Sequence, residues 1–285
     1  PSLLLRANGG TGFKAPALHE LYSGDIVAFD SVFDPASGNV QEVTIIASGN
    51  PALDAEESRN YGLGLVWDVT DAWNLTLDYW RIRIEDAVNN DPQFYVNNEA
   101  LFSSNVIRDE DGNIVTVLSP FENIAEIKTW GLDLDTSFHW GAPTTGDFRL
   151  GLVGTYLGSF EREPVPGAGF EELAGKDGRP RWRGQGILSW MKADFEGSLT
   201  VNYIGSYDRR LEGRDDDSVD SWTTVDAQFS WYPPPISGGK FTLGVENLFD
   251  EEPPEDPFFQ GWPVLNGALH RARGRYVYLG YSHTF

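Results

Sequence analysis

The sequence predicts an all-β protein built from antiparallel, up-and-down strands. Apolar residues recur at every second position in one segment after another, which is the period of a strand with two different faces. Helical periodicity is hard to find anywhere in the chain. Glycine and aromatic residues are abundant, with 31 Gly, 17 Phe, 11 Tyr and 10 Trp among 285 residues. This composition suits many strands joined by turns.

The alternation defines about ten strands, which we place at residues 1–13, 55–69, 73–88, 122–140, 147–162, 179–192, 196–208, 221–232, 240–250 and 273–285. The clearest apolar faces, in chain order, are Tyr61, Leu63, Leu65, Trp67; Leu75, Leu77, Tyr79; Trp130, Leu132, Leu134, Phe138; Phe148, Leu150, Leu152; Leu199, Val201, Tyr203; Val225, Ala227, Phe229, Trp231; Phe241, Leu243, Val245; and Val277, Leu279, Tyr281, His283, Phe285. Polar or small residues fill the positions between them. After Tyr79 the apolar positions change phase, which predicts a β-bulge there.

The connections between the predicted strands alternate between short and long. Short turns lie near residues 68–74, 141–146, 191–195 and 233–239, whereas the long connections lie near 16–54, 89–121, 163–178, 208–220 and 251–273. Alternate connections of an up-and-down sheet emerge at opposite ends, so the two ends face different surroundings. Transmembrane barrels have this asymmetry, with aromatic girdles near the strand ends. Soluble sandwiches and propellers also show regular strands and are the alternative.

Composition excludes several classes of function. The chain carries 21 basic against 43 acidic residues, a net charge of −22, which disfavours nucleic acid as a partner. It has no cysteine, so disulfides, cysteine-ligated metal sites and thiol catalysis are excluded. No HExxH, P-loop or GxSxG motif occurs, and we expect neither catalysis nor a cofactor. No apolar run is long enough for a transmembrane helix, a test that leaves a β-barrel open.

Three segments carry a family resemblance. Arg6 to Tyr22 reads RANGGTGFKAPALHELY, Gly49 to Glu56 reads GNPALDAE, and Val245 to Asp250 reads VENLFD. These segments resemble, in the same order, signatures of the barrel of TonB-dependent outer-membrane receptors. The resemblance spans essentially the whole chain. It departs at His283, where an apolar or aromatic residue is more usual.

The resemblance implies that residues 1–285 are the C-terminal part of the receptor barrel, about ten strands of a total near 22. The chain opens on an apolar stretch without Met or a signal peptide, so we expect the plug domain, the TonB box and the N-terminal strands to be absent from it. The implied location is the outer membrane of a Gram-negative bacterium.

The implied function is TonB-energised uptake of a scarce nutrient, with a ferric siderophore expected first. Carbohydrate, cobalamin or peptide uptake is the alternative, favoured by the acidic stretch between Lys14 and Arg59, which contains no basic residue. A passive porin or a structural barrel is the alternative of a different class.

The implied partners are the chain's own plug and N-terminal barrel half, the TonB complex through the plug, membrane lipid and lipopolysaccharide, and the nutrient. The barrel-assembly machinery is a further implied partner, reading a signal on the last strand at Val277, Leu279, Tyr281 and Phe285.

Two external loops carry candidate ligand contacts. Phe258, Phe259 and Trp262 lie in a Pro-rich segment, where aromatic rings either stack on sugars and planar ligands or pack the loop on its neighbours. Arg209 and Arg210 begin another loop. They would meet a carboxylate ligand or a lipopolysaccharide phosphate, or pair with the nearby Asp208 or Glu212.

Other charged residues have plainer interpretations. Arg108 to Ile114 is faintly similar to a calcium loop but predicts a hairpin, because Asp111-Gly112 separates two apolar runs. The acidic run from Arg214 to Asp220 predicts either a divalent-cation contact or a solvated loop. On the polar strand faces we expect five charged residues to hydrogen-bond one another or the plug: Asp133, Asp135, Arg149, Asp226 and Glu246.

Overall fold

The computed structural model describes residues 2–164, 167, 169–209, 217–236, 238–257 and 264–284. Its elements in chain order are β1 (Ser2–Lys14), α1 (Leu18–Tyr22), β2 (Ile26–Asp34), β3 (Asn39–Ala47), β4 (Glu56–Thr70), β5 (Trp73–Asn89), α2 (Pro92–Asn97), β6 (Val106–Arg108), β7 (Ile114–Leu118), β8 (Glu122–Ala142), β9 (Gly146–Glu163), β10 (Glu171–Glu172), β11 (Trp182–Lys192), β12 (Phe195–Ile204), β13 (Tyr207–Arg209), β14 (Asp217–Val219), β15 (Trp222–Trp231), β16 (Gly239–Glu246) and β17 (Tyr276–His283). No helix within these ranges is long and apolar enough to span a membrane.

One large antiparallel sheet dominates the structure. Its long strands are neighbours in chain order, β1-β4-β5-β8-β9-β11-β12-β15-β16-β17, and the short β10 pairs with β9. These long strands are the ten that the sequence predicts, and the alternation of short and long connections is confirmed as well. β1 and β17 lie at the two ends of the path, so within the described residues the sheet is open and has two free edges.

Strand register gives the sheet two chemically different faces. Leu77 lies between Leu65 and Leu134 on the neighbouring strands, whereas the next residue, Asp78, lies between Gly64 and Asp133. We call these the apolar face and the polar face. Large side chains on the apolar face remain exposed in the chain, Leu63 at 60% and Leu279 at 78%. That face therefore needs an apolar phase around it.

Aromatic side chains border the apolar face at both ends. The belt at the long-loop end comprises Tyr79, Trp130, Tyr156 and Trp182, with successive ring centroids 6.0, 6.4 and 4.5 Å apart. The belt at the short-turn end includes Phe138, Trp140 and Phe148, 5.4 and 5.3 Å apart, and Trp231, Phe241 and Tyr281, 6.1 and 4.8 Å apart. Trp130 and Trp140 are ten residues apart on β8. That spacing is about 33 Å along the strand and about 25 Å after a barrel tilt near 40°, the height of a membrane barrel's apolar band.

The β-bulge predicted near Tyr79 is wrong. β5 keeps a continuous register with both neighbouring strands across this residue. Beyond the aromatic belt the outward positions are charged, beginning with Arg81 and Arg83, while Trp80 and Ile82 occupy the polar face's column. The pattern changes phase because the strand leaves the apolar band, and the backbone stays regular.

A bulge does occur on β9, at Gly158. Trp130 pairs with Ser159 and Gly131 with Leu157, so Gly158 is left opposite no residue of β8. A Cβ atom at Gly158 would lie 2.3 Å from the Trp130 ring. Only glycine fits beneath this indole, which explains the residue at the bulge.

The long loops fold into a separate small sheet with its own core. The first two long connections supply its strands in the order β2-β3-β7-β6, with β3 and β7 parallel. α2 packs against it, and the buried cluster comprises Val32, Val43, Ile45, Phe94, Tyr95, Val96, Val106, Ile114 and Val117. The β6–β7 hairpin predicted from Asp111-Gly112 is confirmed. Gly112 has a φ of +88°, and the Asp109 carboxylate accepts hydrogen bonds from the Asp111 and Asn113 amides.

A buried ion pair joins the two loops. Arg108 on β6 donates through Nη2 to Asp34 at 2.8 Å and to Glu99 at 2.7 Å. Asp34 is fully buried. The hydrogen bond from Arg108 holds the pKa of Asp34 well below its usual range. This carboxylate is therefore charged wherever the loops are folded, and it fixes the first loop to the second.

Truncating the loop core should loosen the loops without melting the large sheet. Ile114 is 2% exposed, so Ile114→Ala should cost the loop sheet about 2–5 kcal/mol of local stability. Hydrogen exchange of residues 26–46 and 106–118 should accelerate while exchange in β8 and β9 stays slow.

The neighbouring Val115→Ala is the control, because Val115 is 41% exposed. Equal exchange rates in the two variants, or simultaneous loss of protection in β8, would show that the loops have no core of their own.

Candidate functional site

The polar face of the sheet lines an open cavity of about 710 Å³. Side chains from β5, β8, β9, β11, β12 and β15 reach it, together with the segment that leads into β17. Its charged and amide side chains are Asp78, Asp133, Asp135, Arg183, Gln185, Asn202, Asp226, Glu246, Asn247, Arg271 and Arg273. The surface can therefore bind a polar surface or a charged ligand, and it is too hydrophilic to close a dry core.

A hydrogen-bonded ladder holds part of this wall in place. Gln185 donates to Asn202 at 2.7 Å, and Asn202 donates to the Asp226 carboxylate at 3.0 Å. The other oxygen of Asp226 accepts from the backbone amide of Asn247 at 2.8 Å. The ladder crosses three strands and reaches the start of the last long loop, so it fixes side-chain positions before any ligand binds.

Three arginines approach the cavity from its long-loop end. Arg183 lies at the start of β11, and Arg271 and Arg273 lie just before β17. Arg273 is 3.5 Å from Glu246 and its guanidinium carbon lies 4.7 Å from the Tyr276 ring centroid. Arg183 and Arg271 have no ion-pair or hydrogen-bond partner in the described part of the chain. These two cations are available to an anionic group entering from the loop end.

The sequence prediction named five charged residues on the polar faces. Asp133 accepts a hydrogen bond from Thr155 at 2.7 Å, Asp226 belongs to the amide ladder, and Glu246 pairs with Arg273. Asp135 lines the cavity as well. Arg149 lies on the same face, outside the cavity lining. The contacts of Asp133, Asp226 and Glu246 are with other residues of neighbouring elements, so the structure shows no hydrogen bond between two of the five within the described residues.

Sequence reasoning missed the cavity arginines. The signal was present in the run Arg271, Arg273 and Arg275, where arginines alternate just ahead of the last strand. Alternation places the first two on the same side of an extended segment. The sequence around Arg183 gave no comparable signal, because a single arginine next to Trp182 at a strand end does not indicate any particular role.

Arg209, a predicted ligand contact, lies in a buried ion pair. Its Nε donates to Asp256 Oδ1 at 2.9 Å, Nη2 donates to Oδ2, and Tyr207 donates to Oδ2 at 2.7 Å. Arg209 is 6% exposed and Asp256 is fully buried. Burial, with the Asp256 carboxylate as acceptor, raises the pKa of Tyr207 to about 12. The described partners of Arg209 are thus Asp256 of the last long loop and, at 3.9 Å, Asp177, and Asp208 is not among them.

The comparisons with known proteins agree with this geometry. Residues 1–248 match the family model described as "TonB dependent receptor-like, beta-barrel". The chain belongs to the TonB-dependent receptor family. Members of this family are receptors and transporters of the outer membrane, not enzymes. No curated protein matches the receptor chain in sequence.

Solved receptor structures share the fold at low sequence identity. The siderophore receptor PirA from Acinetobacter baumannii is 16% identical with a TM-score of 0.65, over 99% of this chain and 39% of its own. A G324V mutant of the ferric enterobactin receptor PfeA from Pseudomonas aeruginosa is 18% identical with a TM-score of 0.65, over 99% and 38%. The copper transporter OprC is 14% identical with a TM-score of 0.61, over 99% and 37%. The receptor chain thus spans under two fifths of their lengths.

Three of the four residues predicted to carry the barrel-assembly signal lie on β17, the last strand of the receptor chain. Val277, Leu279 and Tyr281 occupy the apolar face of β17, opposite Val245, Leu243 and Phe241 of β16. The other edge of β17 has no strand partner among the described residues. Several predicted residues fall outside the described ranges: Arg210, Glu212, residues 214–216 of the acidic run, Phe258, Phe259, Trp262 and Phe285. Their roles stay predictions.

Neutralising Asp256 should release the last long loop. Asp256→Asn removes the carboxylate that accepts two hydrogen bonds from the buried Arg209 guanidinium, and breaking a buried ion pair in this way costs about 3–5 kcal/mol. Limited proteolysis should then cut the loop between β16 and β17 faster, with the β8–β9 fragment still protected.

Asp208→Asn is the matched control, because Asp208 is an exposed carboxylate next to Arg209 in sequence. If Asp208→Asn accelerates cleavage and Asp256→Asn does not, the observed pairing of Arg209 is not what holds the loop.

Proposed function

We propose that the chain is the C-terminal part of the barrel of an outer-membrane receptor that takes up a scarce nutrient with energy supplied through TonB. The family match over residues 1–248 carries this proposal. The geometry supports it, because the apolar face is bounded by two aromatic belts and all long loops emerge at one end of the sheet. A passive porin of the same architecture would need neither TonB nor a plug.

We propose a ferric siderophore as the nutrient. Two of the similar structures are named as a siderophore receptor and a ferric enterobactin receptor, and Arg183 and Arg271 offer two cations to an anionic chelate. The acidic stretch between Lys14 and Arg59 opposes an anion less than its composition implies. Asp34 is neutralised by Arg108 and Glu56 by Lys14.

The alternative nutrients are a carbohydrate, cobalamin or a peptide. The similarity to a copper transporter supports these alternatives, because the same fold transports a substrate other than a siderophore in that protein. Asp25 and Asp30 of the first loop have no cationic partner within the described ranges, and such carboxylates would favour a neutral or cationic ligand over an anionic one.

The partners follow from the free surfaces. Every residue of β1 is exposed, and both β1 and β17 end the described sheet. We propose that the N-terminal barrel strands pair with these edges and that a plug domain, the link to TonB, fills the space against the polar face. The apolar face then contacts lipid, and β17 meets the assembly machinery during insertion.

Deleting the encoding gene from its source bacterium should abolish saturable uptake of at least one radiolabelled ferric siderophore. Complementation should restore the uptake, and an uncoupler or loss of TonB should remove it again. If iron uptake were unchanged and cobalamin or glycan uptake were lost, the nutrient would be cobalamin or a glycan and not a ferric siderophore. Uptake that persists without TonB would indicate a porin.

A single substitution sharpens the same assay. Arg183→Gln in the complete receptor should raise the half-saturating siderophore concentration about tenfold or more, since a charge-assisted hydrogen bond is lost. Arg149→Gln is the control, because Arg149 lies on the polar face near the short turns, outside the cavity lining. Equal effects of the two changes would contradict a ligand role for Arg183.

Two adjacent residues of β9 test the membrane placement. Leu152 lies midway between the belts on the apolar face, and Val153 lines the cavity. Leu152→Arg should cost about 2–4 kcal/mol of inserted stability and reduce the heat-modifiable band from outer membranes, whereas Val153→Arg should leave it nearly unchanged. If Val153→Arg reduced the band and Leu152→Arg did not, the cavity-lining face would be the one in contact with lipid, which contradicts the proposal.

A further inference from the structure

The segment that leads into β17 contains a buried histidine. His270 is 3% exposed, and both its ring nitrogens lack a hydrogen-bond partner among the described residues. The ring stands nearly perpendicular to the indole of Trp222, with ring centroids 5.5 Å apart, and the buried Nε1 of Trp222 also has no described partner. Buried polar side chains are normally hydrogen-bonded. His270 instead packs here as an apolar ring.

The residues around His270 line the large cavity, although His270 itself does not. Leu269 and Arg271 are its neighbours in sequence, and Trp222 is its ring contact. Arg271 is one of the two cations available to an anionic ligand. The packing of His270 on Trp222 therefore fixes the place from which Arg271 reaches the cavity.

A short turn ties His270 to the rest of the last long loop. The amides of Leu269 and His270 both donate to the carbonyl of Asn266, at 3.0 and 2.9 Å. Further back in the same loop, the amide of Asp256 donates to the carbonyl of Val264 at 3.0 Å. These backbone hydrogen bonds exist only while the segment is folded on the sheet, so exchange of their protons reports its docking.

The surroundings of His270 suit a neutral ring and disfavour a protonated one. An imidazolium has two N–H donors, and neither would find an acceptor among the described residues. The charged groups that act on the ring are Asp256 and Arg183, and Asp256 already accepts hydrogen bonds from Arg209 and Tyr207. Burial lowers the pKa of His270, the Asp256 carboxylate opposes this shift, and the Arg183 guanidinium adds to it. A proton on the docked ring is therefore costly.

We propose that His270 is a positioning residue of the nutrient site: its neutral ring holds the segment that carries Arg271 against Trp222, and protonation of the ring releases that segment. Release moves one of the two available cations away from the cavity, so an anionic nutrient binds less tightly. The link to the nutrient rests on the proposed function, whereas the release of the segment does not.

Acid should therefore loosen this part of the loop. A released His270 in water takes up a proton near its ordinary pKa of 6.5, whereas the docked ring does so only at lower pH. Docking is then at full strength above pH 6.5 and weakens as the pH falls below that value. One proton can change the docking equilibrium by at most about tenfold per pH unit.

Hydrogen exchange of the complete receptor at pH 7.5 and pH 5.5 tests the release without any nutrient. After division by the intrinsic exchange rate at each pH, the amides of residues 269 and 270 should lose several-fold of their protection at pH 5.5, and at most about tenfold. His270→Phe keeps a ring against Trp222 but cannot take up a proton, so its segment should stay protected at both values. His19→Phe is the matched control, because His19 is an exposed histidine of α1 in the first long loop. It should behave as wild type.

Nutrient binding by the same proteins tests the link to Arg271. The probe is ferric enterobactin, or the ferric siderophore that the uptake assay selects in its place. Between pH 7.5 and pH 5.5 the Kd of wild type should rise several-fold more than that of His270→Phe. Acid also protonates the siderophore, but this contribution is common to all variants and cancels in the comparison. In an Arg271→Gln background the extra pH dependence of binding should disappear while that of hydrogen exchange remains.

Four results would overturn the assignment. They are unchanged protection of wild type at pH 5.5, equal pH dependence in wild type and His270→Phe, loss of the pH dependence in His19→Phe, and faster exchange of His270→Phe at pH 7.5, which would mean that the ring nitrogens make bonds. Should His270→Phe not reach the membrane, exchange in wild type still decides, with residues 114–118 of the loop sheet as the internal reference.

Failure of this inference and failure of the proposed function are distinguishable. A receptor that takes up a siderophore without any of these pH effects keeps the proposed function and loses the role of His270. A receptor that shows the exchange effects but binds no ferric siderophore keeps the proton-sensitive segment and loses the nutrient.

Discussion

Hydrogen-bonded register between neighbouring long strands is the constraint on which the rest of the structure depends. Side chains alternate across a strand, so a slip of one residue would exchange its two faces. β8 shows this most clearly, because it is paired on both sides: Leu134 lies between Leu77 and Gly154, and Asp133 between Asp78 and Thr155. Once the register is fixed, side-chain alternation places the apolar residues and the two aromatic belts on one face of the sheet and the polar cavity wall on the other.

The long loops are stabilised by a buried apolar core and by buried ion pairs, in contrast to the strand pairing that organises the large sheet. Residues buried in the small sheet form a conventional apolar core, and two ion pairs with fully buried carboxylates, Asp34 with Arg108 and Asp256 with Arg209, connect segments distant in sequence. Breaking a buried ion pair is strongly destabilising, so each pair acts as a strong local constraint. We therefore expect the large sheet and the small loop sheet to unfold as separate units.

Local chemistry explains which features could be predicted from sequence. The alternation of apolar and polar residues is a property of each strand's own sequence, so the ten long strands and their two faces could be predicted. The hairpin around Asp111 and Gly112 could be predicted for the same reason. Contacts between remote residues left no local signal: Arg108 reaches Asp34 across 74 positions, and Arg209 reaches Asp256 across 47. The β-bulge predicted at Tyr79 was wrong for a related reason. Where a regular strand leaves the apolar band, its apolar residues move to the other face, and in the sequence this shift looks the same as a bulge.

Spin-label accessibility along β8 tests most directly whether one face of the sheet meets lipid. The chain has no cysteine, so single cysteines at residues 130–140 can each carry a nitroxide in the complete receptor reconstituted in bilayers. Collision with oxygen, which concentrates in lipid, should peak with a period of two at Leu132, Leu134 and Phe138 and fall at Asp133, Asp135 and Ser137. Uniform collision rates, or peaks at the carboxylate positions, would contradict the assignment of the two faces.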